Sequence, residues 1–243
     1  MRTSFILSIL IAFQLILEVS SVINFKEYSS KPIESLTKSY LDLIGIPLEC
    51  PLKGALKNFA VRTDGKYVWY EYGCYSSLTS SNEFDESIIK GLYSNQTATF
   101  KYKSTDSLES LTKVDFKCPV DFALSKFTLT KDSNSYLVVE YGCVGVKSSE
   151  QTKDNSIASG TSEGAPNTVS TLSGLTCGDN TIESEEIPGT PLRGFKLTLT
   201  STSNGNVKAQ YKYSYHKLRS IENEKKEWAS KTAALRNSNT QKN

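Results

Sequence analysis

Between Tyr67 and Cys74 the side chains sort into two files: Val68, Tyr70, Tyr72 and Cys74 on one side, Tyr67, Trp69 and Glu71 on the other. A period of two, filled with aromatic and β-branched residues, predicts a strand with one face toward a core. Leu137, Val139, Tyr141 and Cys143 form the same inward file later in the chain, and FAVRT and FTLT, just upstream of each run, alternate likewise. TDGK and KDSNS separate the runs. Asp-Gly and Asn-Ser accept positive φ or local side-chain hydrogen bonds, so each pair of runs reads as an antiparallel hairpin.

The two hairpins are copies of one unit. Residues 50–74 and 118–143 both open on Cys-Pro and close on Tyr-Gly-Cys; Ala55-Leu56 answers Ala123-Leu124, and Phe59 answers Phe127. A diverged third copy opens at Cys177, keeps the Leu-x-x-Phe spacing at Leu192 and Phe195, and ends in GNVKAQYKYSY, with Tyr213 or Tyr215 where the closing cysteine should stand. A lead-in also recurs: IESLTK at 33–38, LESLTK at 108–113 and a fainter LSGLT at 172–176. Such repetition predicts supersecondary units that pack on one another.

Cysteine spacing suggests how a unit is held. Four cysteines allow three pairings, and the repeat favours Cys50 with Cys74 and Cys118 with Cys143, which pins the segment ahead of each hairpin to the end of its second strand. Loops of about 25 residues closed in this way stabilise by roughly 3 kcal/mol each. Cys177 is left over, as a buried thiol acting as a small hydrophobe or as the anchor of an intermolecular disulfide to a second copy or another protein.

The remaining segments extend this plan. SSKPIESLTKSYLDLIG predicts a short N-terminal helix, with Pro32 in its first turn and Ile33, Leu36, Tyr40, Leu43 and Ile44 on one side; SYLDL could instead be strand. NQTATFKYK, from Asn95, alternates as another strand. Residues 147–170, rich in Ser, Thr, Gly and charge, predict a flexible linker. Residues 217–243 predict a charged helical tail and a disordered end, with Leu218, Ile221, Trp228 and Leu235 roughly aligned. The fold class is thus mainly β, built of tandem disulfide-closed hairpins: a β-rich domain over 22–146, the linker, the third repeat over 171–216, and the tail.

Composition bears mostly on address. Met1 to Ser21 carries Arg2, an apolar stretch from Phe5 to Leu17 and small residues at its end, the pattern of a secretory signal peptide cut after Ser21. No second long apolar run follows, so the mature chain is expected to span no membrane. A formal net charge of +2 among 243 residues, with both signs mixed, gives no reason to expect nucleic acid as a partner. Asn95-Gln96-Thr97 is a glycosylation sequon and predicts an exposed loop.

Catalytic chemistry finds little footing. GTSEG at 160–164 fits G-x-S-x-G but lies in the expected linker, without the strand and helix that a nucleophile elbow requires. His216 is the only histidine, which leaves one candidate base for a triad. No spacing suggests a metal or phosphate site, and no cofactor is expected. A Cys-x8-Phe strand followed by one ending in aromatic-x-Cys resembles secreted β-repeat modules of the dermatopontin type, which implies a role in extracellular matrix and adhesion. The expected function is a secreted or cell-surface, non-enzymatic structural or adhesive protein, partnered by other proteins or by itself through Cys177. Tyr67 and Trp69 offer flat rings to a ligand, so a carbohydrate-binding module is the first alternative; a secreted hydrolase is the second.

Overall fold

The computed structural model describes residues 22–51, 54–78, 89–100, 108–134, 136–146, 157–178 and 190–216. The signal peptide expected over 1–21 and the helical tail expected over 217–243 lie outside the described residues. The described residues form three antiparallel four-stranded sheets, the first joined by one extra short strand.

Each sheet is centred on a hairpin whose inward file is apolar. The hairpins are β4 (Ala55–Thr63) with β5 (Tyr67–Leu78), β8 (Phe122–Lys131) with β9 (Leu137–Val146), and β12 (Leu192–Ser201) with β13 (Val207–Tyr215). A long outer strand flanks the second strand of each: β1 (Val22–Ser29) on β5, β6 (Ile89–Phe100) on β9, and β10 (Ile157–Gly164) on β13. Strand β2 (Ile33–Glu34) continues the edge of β5 beyond β1.

The fourth strand of every sheet comes from another unit. β3 (Leu48–Glu49), just before the first hairpin, pairs with β8; β7 (Phe116–Lys117), just before the second, pairs with β12; β11 (Thr176–Gly178), ahead of the third, pairs with β4. The exchange is cyclic. Each unit therefore satisfies the open edge of the next, and three units close on themselves.

Equivalent positions follow from that register. Leu48, Phe116 and Cys177 lie opposite Phe127, Phe195 and Phe59. Counting back, Tyr40, Leu43, Ile46 and Leu48 match Leu108, Leu111, Val114 and Phe116, and also Val169, Leu172, Leu175 and Cys177, all in the buried core. Steps of three, three and two suit one helical turn leading into an extended strand. Each quartet begins in such a turn: the 3-10 segment Tyr40–Leu43 and the one-turn helices Glu109–Thr112 and Ser170–Ser173.

Three phenylalanines fill the centre. Phe59, Phe127 and Phe195, evenly spaced in sequence, have ring centroids 5.0, 4.8 and 5.4 Å apart, at tilted or edge-on angles that suit the ring quadrupoles. Phe116, Tyr70 and Tyr211 pack around them.

Behind each ring the hairpin bulges at Lys57, Ser125 and Arg193, where the strand registers shift. The bulge turns a carbonyl toward the exchanged strand. Cys50 N–H donates to Ser125 O and Cys118 N–H to Arg193 O, both at 2.9 Å.

Two disulfides are present, Cys50–Cys74 and Cys118–Cys143. In the third unit Tyr215 lies opposite Leu192, as Cys74 lies opposite Leu56 and Cys143 opposite Leu124, so Tyr215 occupies the closing position.

Several expectations are corrected. Cys177 does not open the third copy; it sits two residues earlier than that position, in the site of Leu48 and Phe116, as a free and fully buried thiol. A bond from it to a second chain would require opening the core. The expected N-terminal helix is replaced by β2, a loop and the 3-10 turn, because Ile33 and Leu36 are exposed and only the Tyr40 quartet is buried. IESLTK is accordingly not the counterpart of LESLTK, which aligns with YLDLIG.

Of the linker expected over 147–170, residues 147–156 lie outside the described residues and 157–170 are not linker. β10 is an edge strand of small polar residues, held by backbone pairing to β13 rather than by burial, which its composition hides. The third unit is likewise no mobile appendage, since Phe195 is in the shared core and β11 completes the first sheet. Asn95 lies within β6, opposite Gly142, rather than in a loop.

Candidate functional site

Alternation along β4 and β5 buries Phe59, Val61, Val68 and Tyr70 and turns Asn58, Arg62, Trp69 and Glu71 to the other face of the first sheet. Cross-strand register puts Arg62 opposite Trp69 and Ala60 opposite Glu71, so the long side chains meet diagonally. Arg62 Nε donates to Glu71 Oε2 at 2.7 Å and Nη1 to Ser173 O at 3.1 Å; the Trp69 indole N–H reaches Glu71 Oε1 at 3.4 Å. The guanidinium hydrogen bond holds the Glu71 carboxyl below its ordinary range and keeps it charged.

Beside this cluster lies a depression of about 420 Å³, with Glu27 and Ser29 on β1, Asn58 on β4 and Thr176 on β11 along its lining, together with Arg62 and Glu71. Asn58 Oδ1 accepts the Gly73 N–H at 3.1 Å, which fixes the orientation of its amide. The lining thus carries both donors and acceptors.

Comparison with family models, curated proteins and solved structures gives no match. The site is therefore read from its own chemistry.

Of the two aromatics expected to meet a ligand, Trp69 joins the Arg62–Glu71 cluster, while Tyr67 stands at the hairpin turn beneath Lys66 Nζ, 5.0 Å from its ring centroid. Asp64 anchors that turn, accepting the Lys66 and Tyr67 N–H groups at 2.9 and 2.7 Å, bonds that hold its carboxyl below the ordinary range. Arg62, Glu71, Asn58 and the contributors from β1 and β11 were missed in the sequence. The signal for Arg62 was available by copy comparison, since Thr130 and Thr198 hold its place in the other units.

The remaining titratable groups of interest are buried. His216 is fully buried; its backbone N–H donates to Pro191 O at 2.9 Å and its Nε2 lies 2.8 Å from Phe122 O. Burial, and to a lesser degree Arg193, pushes its pKa below the ordinary value. Burial also pushes up the Tyr70 and Tyr211 hydroxyls and the Cys177 thiol. Ser162 of GTSEG lies inside β10, opposite Ala209, with no strand-to-helix elbow around it. Among the described residues no group of three or more His, Cys, Asp or Glu side chains converges as for a metal.

Proposed function

We propose that the chain is an exported, non-enzymatic structural or adhesive component of a cell surface, coat or extracellular matrix. The observation that carries this reading is the pairing of cysteines within two units of one closed body, since disulfides persist in oxidising compartments. Among the described residues no helix is long and apolar enough to cross a membrane. A body closed by cyclic strand exchange suits a mechanical or display role, because no unit can leave without opening two sheets. The test is fractionation of the native protein with cross-linking in place. Recovery in an extracellular or surface-bound fraction, linked to other matrix components, is expected; a cytosolic protein with reduced cysteines overturns the proposal.

A carbohydrate-binding role is the second reading. The Trp69–Glu71–Arg62 cluster favours it, because a flat ring beside paired hydrogen-bonding groups is what a sugar ring presents itself to.

A further inference from the structure

The three units share a backbone, so each serves as a control for the others. At the position of the Arg62–Trp69 pair the second unit carries Thr130 and Val138 and the third Thr198 and Gln210. Small or neutral side chains therefore suffice for strand pairing at this position. Likewise Glu71 corresponds to Glu140 in the second unit and Lys212 in the third, opposite Thr128 and Lys196, and among the described residues only in the first unit does a guanidinium pair with the acid. Arg62 also ties the first sheet to Ser173 O at 3.1 Å, but the joined trio of cation, carboxylate and indole has no counterpart at the matching places of the other two units, and it is chemistry available for a ligand.

We propose that the outer face of the first sheet binds a neutral saccharide, with Trp69 as the stacking platform and Arg62, Glu71 and Asn58 as its hydrogen-bonding groups. The depression of about 420 Å³, lined by Arg62, Glu71 and Asn58, falls within the roughly 300–1,000 Å³ of small-ligand sites; Trp69 lies outside its lining and stands beside it, opposite Arg62 and hydrogen-bonded to Glu71. Its chemistry selects the ligand class. Arg62 is already neutralised by Glu71 at 2.7 Å, and Glu27 adds a second carboxylate to the lining, so an anionic ligand meets net negative charge. Hydroxyls of Ser29 and Thr176, the Asn58 amide, the guanidinium and the carboxylates supply donors and acceptors in mixture, which matches vicinal hydroxyl groups that must donate and accept at once. Trp69 is only partly buried, and its N–H is held toward Glu71, an arrangement that fixes the ring for stacking on the C–H face of a pyranose.

This assignment rests on the carbohydrate-binding reading and is independent of the scaffold role. The test is a glycan array probed with the full mature chain, followed by calorimetric titration with the best neutral oligosaccharide found. Trp69→Val and Arg62→Thr install the residues of the second unit and preserve the sheet, which circular dichroism and intact disulfides verify. Saturable binding to a neutral glycan, weakened at least tenfold by either substitution, is the expected result. Silence across the array, binding confined to sulfated or sialylated glycans, or binding that both variants retain overturns the site. Silence on the array with surface cross-links intact rejects the saccharide and leaves the scaffold.

Discussion

His216 Nε2 sits 2.8 Å from the carbonyl oxygen of Phe122, tying the end of the third hairpin to the start of the second. His216 follows Tyr215 as Tyr75 follows Cys74, and Tyr75 makes the matching link in the first unit: its hydroxyl accepts the Thr190 N–H at 3.2 Å, tying the first hairpin to the start of the third. Since a carbonyl only accepts, Nε2 carries the proton, and Nδ1 is buried without a hydrogen-bond partner among the described residues.

That geometry makes stability pH-dependent. The folded-state pKa of His216 is lowered, chiefly by burial, so near the ordinary value of 6.5 the unfolded chain binds more protons than the folded one. The contribution is fully present above pH 6.5 and is lost as pH falls below it, with Arg193 opposing the charge and Asp121 favouring it. Urea midpoints should fall between pH 7.5 and pH 5, and His216→Gln, which keeps a donor toward Phe122, should remove most of that fall. Glu71 and Asp64, whose pKa values are lowered from carboxylate values, act only at more acidic pH, so the two effects separate.

The third unit is the one without an internal bridge. Each disulfide should stabilise by roughly 3 kcal/mol through its loop of about 25 residues, so the oxidised protein should open first around β12 and β13. Amide exchange measured by mass spectrometry should show less protection there than in β8 and β9. Reduction, or paired Cys118→Ser and Cys143→Ser substitutions, should erase the difference, and equal protection before reduction would contradict the account.

Cys177 tests the register of the exchanged strand. In the site of Leu48 and Phe116, fully buried, with its thiol pKa pushed up by burial, it should resist maleimide in the folded protein and react at once in denaturant. Cys177→Ser should cost about 1–3 kcal/mol, the range for a buried hydroxyl left unpaired. Rapid labelling without unfolding would place it elsewhere.

How much of this was legible in sequence depended on whether a residue's environment lies within its own unit. The hairpins and the cysteine spacing were legible because alternation and the Asp-bearing turns are local. The cyclic exchange was not, since Leu48–Glu49 and Phe116–Lys117 are two-residue strands whose partners lie in the next unit. IESLTK misled because similarity of letters outranked burial; Leu36 is 81 % exposed, whereas Leu111 is 9 % exposed. β10 was hidden because an edge strand needs backbone partners more than apolar side chains. Trp69 could be named from its ring, but Arg62 and Glu71 became a site only once the register set them side by side.

The phenylalanine triangle is where the three units depend on each other most. Phe59→Ala, Phe127→Ala and Phe195→Ala should each cost about 3–5 kcal/mol, as for large-to-small changes in a tight core. Because each ring contacts the other two, pairs of these substitutions should cost less than the sum of the singles. Gly178→Ala acts on the same closure from the backbone: its φ is +105°, and a Cβ would strike Lys57 O and the Asn58 backbone across the β11–β4 pairing. It should therefore loosen the first sheet while leaving β8 and β9 paired. Urea denaturation followed by far-ultraviolet circular dichroism, with amide exchange to locate the opening, checks both; strictly additive losses, or a Gly178→Ala variant as protected in β4 as the parent, would show that the units stand without each other.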